Sequence, residues 1–290
     1  MRIFFTGATS LAGRTLFSQL REAGHHVHGI SRNPLPAPST QIDLTSPDLE
    51  AELPDDSFDT LIHFASYVPE NEKESDWATC YERNVRSLSS LFKWGAGRFR
   101  KVILASSLAV YGTPQATLPV TEDYPLHPDT AYALSKYAQE MLFSAFCVIE
   151  RIPLVTLRLG YVYGPGIPSS RGIVKLARMV DRGEPVTLTN SETAGLHLIH
   201  VDDIARIATH FLHEGHGTYN LAPNRHISLL EFIRTAMIVA GKTVPLTCKD
   251  DPAAPFTNHY SCGKLIREQR IEPVVPLADG IADLLSEVQS

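Results

Sequence analysis

The feature that most constrains this chain is a glycine turn set between a strand-like run and a helix-like run. Arg2–Thr6 is a short, mostly apolar run, Leu11–Ala23 carries a helical pattern, and Thr6-Gly7-Ala8-Thr9-Ser10-Leu11-Ala12-Gly13 joins them. A strand-turn-helix of this kind aims unpaired backbone N–H groups and the positive end of the helix at a phosphate. Gly7 permits the tight turn, and Gly13 lets helix and strand approach closely. The turn reads as a pyrophosphate site, with Gly7, Thr9, Ser10, Leu11 and Gly13 set against a dinucleotide.

The same alternation continues through the first half. Arg2–Thr6, His26–Ile30, Thr60–Phe64, Lys101–Ser106 and Leu154–Leu159 read as strands, with Gln41–Leu44 as a weak further one. Leu11–Ala23 and Tyr81–Trp94 read as helices between them. Strands that alternate with helices imply an α/β fold with a parallel sheet, here a doubly wound, Rossmann-type sheet. After Tyr163-Gly164-Pro165-Gly166 the pattern loosens. Ile173–Arg182 reads as a helix closed by Gly183, Pro185–Leu188 as a strand, and Leu229–Ala240 as a helix between Ser228 and Gly241. Asp202 or Asp203 is the expected cap of a helix over Ile204–Leu212. The expected division is residues 1–165 as the dinucleotide domain and 166–290 as a smaller lobe that is mainly for substrate. Segments near 196–215 are expected to return to the first domain.

Composition narrows the partners. The chain has 290 residues and a formal net charge of −6, which leaves no basic footprint for nucleic acid. No apolar run is long enough to span a bilayer. The four cysteines are scattered without a C-x-x-C pair, the pattern of reduced thiols rather than of disulfides or a zinc site. With no apparent leader ahead of Arg2, a soluble, cytoplasmic chain is expected. His210, His213 and His216 run through a helix end into glycines, so no metal is expected there.

Two further patterns carry chemistry. Ser31-Arg32 ends the second strand, about 20 residues past the glycines, where an enzyme that uses NAD tends to place a carboxylate on the ribose hydroxyl. A hydroxyl followed by a guanidinium suits a 2′-phosphate, so NADP is favoured over NAD. Arg14 is a candidate second cation. The other pattern is Tyr132-Ala133-Leu134-Ser135-Lys136, whose first and last residues share a helix face. An ammonium beside a phenol favours the phenolate and makes the tyrosine a general acid/base for carbonyl–alcohol interconversion.

Around this pair lie runs that resemble the extended short-chain dehydrogenase/reductase family, the NAD-dependent epimerases and dehydratases. Lys101-Val102-Ile103-Leu104-Ala105-Ser106-Ser107-Leu108-Ala109-Val110-Tyr111-Gly112 resembles its S-S-x-x-V-Y-G strand end. Val120-Thr121-Glu122-Asp123-Tyr124-Pro125-Leu126 is similar to its T-E-D-x-P-L run. Leu61-Ile62-His63-Phe64-Ala65-Ser66, Asn84-Val85, Arg158-Leu159-Gly160-Tyr161-Val162-Tyr163-Gly164-Pro165-Gly166, His200-Val201-Asp202-Asp203-Ile204-Ala205 and Tyr219-Asn220-Leu221-Ala222 resemble later segments. The resemblance implies that Ser107, Tyr132 and Lys136 are catalytic, with Asn84 supporting the lysine through water. It implies that Phe64, Ala65 and Ser66 line the cofactor, that Asp43-Leu44 contacts its adenine, and that the chain pairs as a homodimer.

Departures from the family pattern direct the function. Ser10 replaces the middle glycine of T-G-x-x-G-x-x-G, so the turn shifts or the hydroxyl contacts phosphate. Leu108 and Ala109 stand where dehydratases of the family carry an Asp-Glu pair, which disfavours dehydration. Tyr161 stands at an asparagine, and Leu196 at an arginine, that hold the nucleotide diphosphate in sugar-nucleotide epimerases. Arg171, Lys175 and Arg178 are possible replacements. The leading expectation is reduction of a keto group on a small sugar or sugar-nucleotide-like substrate held by Ser107, Tyr132 and Tyr161. The alternative is an NAD-dependent (nucleotide-)sugar epimerase, and a third reading is a silent dinucleotide sensor.

Overall fold

The computed structural model describes residues 1–71, 74–113, 119–192, 195–223, 225, 227–251 and 259–286. Its centre is a parallel sheet. The strands in chain order are β1 (Arg2–Thr6), β2 (His26–Ser31), β3 (Ser39–Gln41), β4 (Thr60–His63), β5 (Val102–Ser107), β6 (Leu154–Leu159) and, after other elements, β11 (Gly217–Leu221). Their order across the sheet is β11-β6-β5-β4-β1-β2-β3, and the chain turns outward in both directions from β1 and β4. This is the doubly wound arrangement, whose ligand crevice lies outside the carboxyl ends of the strands where the order reverses.

Alternation along β1 shows why both faces are covered. Ile3 and Phe5 enter one core with Leu16 of α1 (Leu11–Glu22) and Ile204, Ile207 and Phe211. Phe4 enters the other with Trp94, Phe99 and Phe143. The helices on this second face are α2 (Leu49–Glu52), α3 (Trp77–Tyr81), α4 (Leu88–Gly95) and α5 (Ala131–Glu150). Between α3 and α4, Glu82–Arg86 is a π-helical turn. The single helix expected over Tyr81–Trp94 is therefore interrupted, and such turns recur at functional sites.

The remaining elements are β7 (Tyr161–Tyr163), α6 (Gly172–Arg182), β8 (Val186–Thr189), β9 (Gly195–Leu196), β10 (Leu198–His200), α7 (Val201–His210), β12 (Ile227–Ser228), α8 (Leu229–Ala240), β13 (Leu246–Lys249), α9 (Gly263–Gln269) and α10 (Leu277–Ser286). A separate core joins α6, α8 and α10 through Val174, Ala177, Ile233, Ala236 and Ile281, while α7 and β11 pack with the sheet. Neither Asp202 nor Asp203 caps α7. The His200 ring accepts the Asp202 N–H, and the buried Asp203 carboxylate accepts the N–H groups of Val274 and Val275 at 2.9 Å each. An aspartate turned into the core to hold a distant loop cannot also cap its own helix. The weak strand expected at Gln41–Leu44 begins earlier, at Ser39, and ends before Asp43. No helix among the described residues is long and apolar enough to cross a membrane.

Candidate active site

The site starts at the glycine turn. Gly7 has a φ of +82°, and a Cβ there would come within 2.3 Å of the Ala65 nitrogen; one on Gly13 would lie 2.1 Å from the Gly7 carbonyl oxygen. Strand exit, turn and helix start are thus packed backbone to backbone. Gly13 acts there, beneath the turn, and does not line the cavity. Ser10 caps α1: its Oγ accepts the Gly13 N–H at 3.1 Å. Its side chain fits the turn by taking over a helix-end donor.

Above the carboxyl ends of the strands lies a cavity of about 640 Å³. Gly7, Thr9, Ser10, Leu11, Ser31, Arg32, Asp43, Leu44, Phe64, Ala65, Ser66, Ser107, Tyr132, Lys136 and Tyr161 all line it. At one end, Thr9 Oγ1 and Ser31 Oγ are 3.0 Å apart, and Ser31 Oγ accepts the Asn33 N–H. Arg32 is mostly exposed, with its Nε 3.9 Å from Asp43. Partial burial works against the Asp43 carboxylate, but Thr45, Arg32 and Arg83 outweigh it and hold the group below its ordinary range. Arg14 points elsewhere: its guanidinium donates to the Pro165 carbonyl at 2.7 Å, because the 164–166 turn folds over the start of α1.

At the other end stand Tyr132, Lys136 and Ser107. Thr130 caps α5 by accepting the Ala133 N–H, so Tyr132 and Lys136 lie in the first two turns, one above the other. Lys136 is buried, and its Nζ donates to the Ala105 carbonyl at 2.8 Å and to Gln139 Oε1 at 2.5 Å, with Ser66 Oγ at 3.5 Å. Burial pushes the ammonium down to about 7, against the pull of the Glu140 carboxylate. His63 at the end of β4 is buried on Thr6 Oγ1, and burial together with the Lys136 charge takes its imidazole down to about 3. Ser107 Oγ accepts the Ala109 N–H at 3.2 Å, capping a short 3₁₀ turn, Leu108–Tyr111. That bond uses a lone pair and keeps the hydroxyl proton for donation.

Asn84 does not line the cavity. Its side chain is held by the Tyr67 N–H and carbonyl and by Ser135 Oγ, and its own carbonyl accepts Gln139 Nε2 at 2.8 Å. Protein groups therefore link Asn84 to Lys136, through Gln139 and through Ser66. Gln139 and Glu140 were missed by the sequence reading, although their spacing of three and four from Lys136 puts them on one helix face.

Glu140 opens a second, buried network. It accepts Ser106 Oγ at 2.6 Å and is paired with Arg158 in a bidentate contact, from Nε at 3.0 Å and Nη2 at 2.8 Å. Arg158 also donates to the Tyr111 hydroxyl, which donates to Asn220, whose backbone N–H reaches Glu122. Five residues from the family-like runs thus join β5, β6, α5 and β11 directly beneath Ser107.

The profile of the NAD dependent epimerase/dehydratase family matches residues 3–222. The chain belongs to this family. Its members are enzymes of the extended short-chain dehydrogenase/reductase type and use a nicotinamide dinucleotide. A UDP-glucose 4-epimerase from Azospirillum brasilense is 27% identical to this family member over 299 residues, covering 92% of the chain and 86% of the relative. A GDP-6-deoxy-D-mannose reductase from Pseudomonas aeruginosa is 28% identical over 264 residues, covering 87% and 84%. Two solved structures share the fold, each at 23% identity. UDP-glucose 4-epimerase from Thermus thermophilus in complex with NAD has a TM-score of 0.83 and covers 100% of this chain and 99% of its own. RMD from Pseudomonas aeruginosa complexed with NADPH has a TM-score of 0.85 and covers 100% of both.

Proposed function

We propose that this enzyme reduces a keto group on a small, sugar-like substrate with NADPH. Residues 1–165 hold the dinucleotide in this reading, and residues 166–290 mainly hold the substrate. The observation that carries it is the pair of ends of one cavity. Ser31 and Arg32 form a hydroxyl-guanidinium edge at one, and Ser107, Tyr132 and Lys136 stand at the other.

The described residues fit a dinucleotide. The first turn of α1 opens on the cavity through Ser10, Leu11 and Ala12, and no side chain projects from Gly7. Gly7, Thr9, Ser10 and Leu11 would hold the pyrophosphate, Asp43 and Leu44 the adenine side, Arg32 and Ser31 the 2′-phosphate, and Phe64, Ala65 and Ser66 the inner wall. When bound, the cofactor supplies hydride chemistry. The chain's own part is the proton. Ser107 donates to the substrate's carbonyl oxygen and holds it in place. Tyr132 gives its phenolic proton to that oxygen as negative charge develops there. Lys136, fixed by Ala105 and Gln139 and poised near neutrality, restores the proton. Tyr161 borders the substrate's side of the cavity.

One observation favours a second reading, a sugar-nucleotide epimerase. Arg171 lines the cavity beside Tyr161, where a cation can face phosphate. The two readings part in one assay, in which the purified enzyme is given NADPH and keto sugars, free or nucleotide-linked. Net loss of reduced nicotinamide in proportion to alcohol formed supports the reductase. Interconversion of a sugar nucleotide with no net loss supports the epimerase. A homodimer and a cytoplasmic location accompany the reductase proposal.

A further inference from the structure

Beyond Tyr161 and Arg171, the main cavity continues into a second space of about 440 Å³. Its wall is built by the smaller core. Leu196 comes from β9, Ile173 and Leu176 from α6, and Leu229 from the start of α8. Four aliphatic side chains on three elements make a surface that water solvates poorly.

The polar groups at its mouth are balanced in charge. Among the described lining residues there is one cation, Arg171, and one carboxylate, Glu70. Glu70 accepts the Ser170 hydroxyl at 3.2 Å, and the Arg171 guanidinium lies 3.4 Å from the carbonyl oxygens of Pro69 and Glu70. A diphosphate placed here meets a carboxylate as well as a guanidinium, and much of its remaining surface faces hydrocarbon. The other side-chain donors among the described lining residues, Asn71, Tyr161 and Ser170, already have partners, so taking such a group out of water here is strongly unfavourable. An uncharged, apolar arm meets no such cost and gains from burial against Leu196, Ile173, Leu176 and Leu229.

We infer that this second space is an apolar substrate subsite, and that the enzyme takes a sugar-like substrate bearing an uncharged alkyl or aryl arm rather than a nucleotide diphosphate. The inference rests on the reading of the Tyr132 end as the reacting end, since that places the arm beyond Tyr161.

The test keeps the sugar constant and varies the arm. The NADPH-loaded enzyme is titrated by calorimetry with alkyl glucosides from methyl to hexyl, and separately with UDP-glucose. The expected result is an affinity that rises by about fourfold per methylene, with UDP-glucose no tighter than methyl glucoside. A flat alkyl series, or UDP-glucose at least tenfold tighter than hexyl glucoside, overturns the inference. Leu196→Arg is expected to flatten the series and tighten UDP-glucose by about tenfold, with an NADPH titration confirming a folded enzyme. An unchanged series in that folded variant also overturns it. These are binding readings. Consumption of NADPH with keto sugars reports separately on the reductase assignment, so the two failures are distinguishable.

Discussion

Tyr132 and Lys136 stand one helical turn apart, and the surroundings of Lys136 explain why a lysine is costly there. It is buried, with its ammonium shifted from 10.5 down to about 7. Between those values the unfolded chain holds a proton that the folded enzyme has released, so stability rises with pH across that window. Lys136→Met removes this dependence. Thermal or denaturant unfolding should show the difference, variant minus wild type, falling by roughly 1.4 kcal/mol per pH unit from about pH 7 toward pH 10. A difference that is flat with pH would mean that the lysine stays charged when buried. The same variant should lose nearly all turnover. Tyr132→Phe should lower kcat by about 10²–10⁴-fold, the range for removing a general acid, while NADPH titration stays near wild type. A kcat within a few-fold of wild type would remove Tyr132 from the chemistry.

At the scale of elements, the Glu140–Arg158 pair ties α5 to β6 and, through Ser106 and Tyr111, to the strand end that carries Ser107. Breaking one side of a buried ion pair leaves an uncompensated charge and costs about 3–5 kcal/mol. Arg158→Met is expected to destabilise the enzyme by that amount in urea unfolding. The double variant with Glu140→Gln should recover part of the loss, and a strictly additive double variant would refute the coupling. This network also shows what the sequence made legible. The strand and helix pattern, the glycine turn and the Tyr132–Lys136 spacing are local, so they can be read from neighbouring residues. Leu154–Leu159 and Leu229–Ala240 form over the residues that their patterns indicate. Partners that meet only after folding cannot be read this way. Asp203 pairs with a loop some 70 positions away, Arg14 with Pro165, and Asn84 with Gln139. The π-helical turn at Glu82–Arg86 likewise leaves no periodic mark, because one added residue changes no hydrophobic pattern long enough to notice.

At the scale of the whole molecule, two exposed features of the described residues bear on its partners. The outer face of α5 carries Leu134, Met141, Leu142, Val148 and Ile149 in solvent. Leu134, Ala138, Met141, Ala145 and Val148 recur at the alternating spacings of four and three that form a helix-pairing seam. Paired α5 helices are the proposed dimer contact, and Met141→Glu should shift the enzyme from dimer to monomer in sedimentation. An unchanged dimer would place the contact elsewhere. The other exposure is the open cavity edge at Ser31 and Arg32, on which the choice of NADPH depends. The most direct test is to titrate the wild-type enzyme and Arg32→Ala with NADPH and NADH in parallel, following nicotinamide fluorescence. The account predicts that wild type binds NADPH at least about tenfold tighter, roughly 1.4 kcal/mol, and that Arg32→Ala loses the preference while keeping NADH binding. Equal or tighter NADH binding in wild type, or a preference untouched in Arg32→Ala, would contradict it.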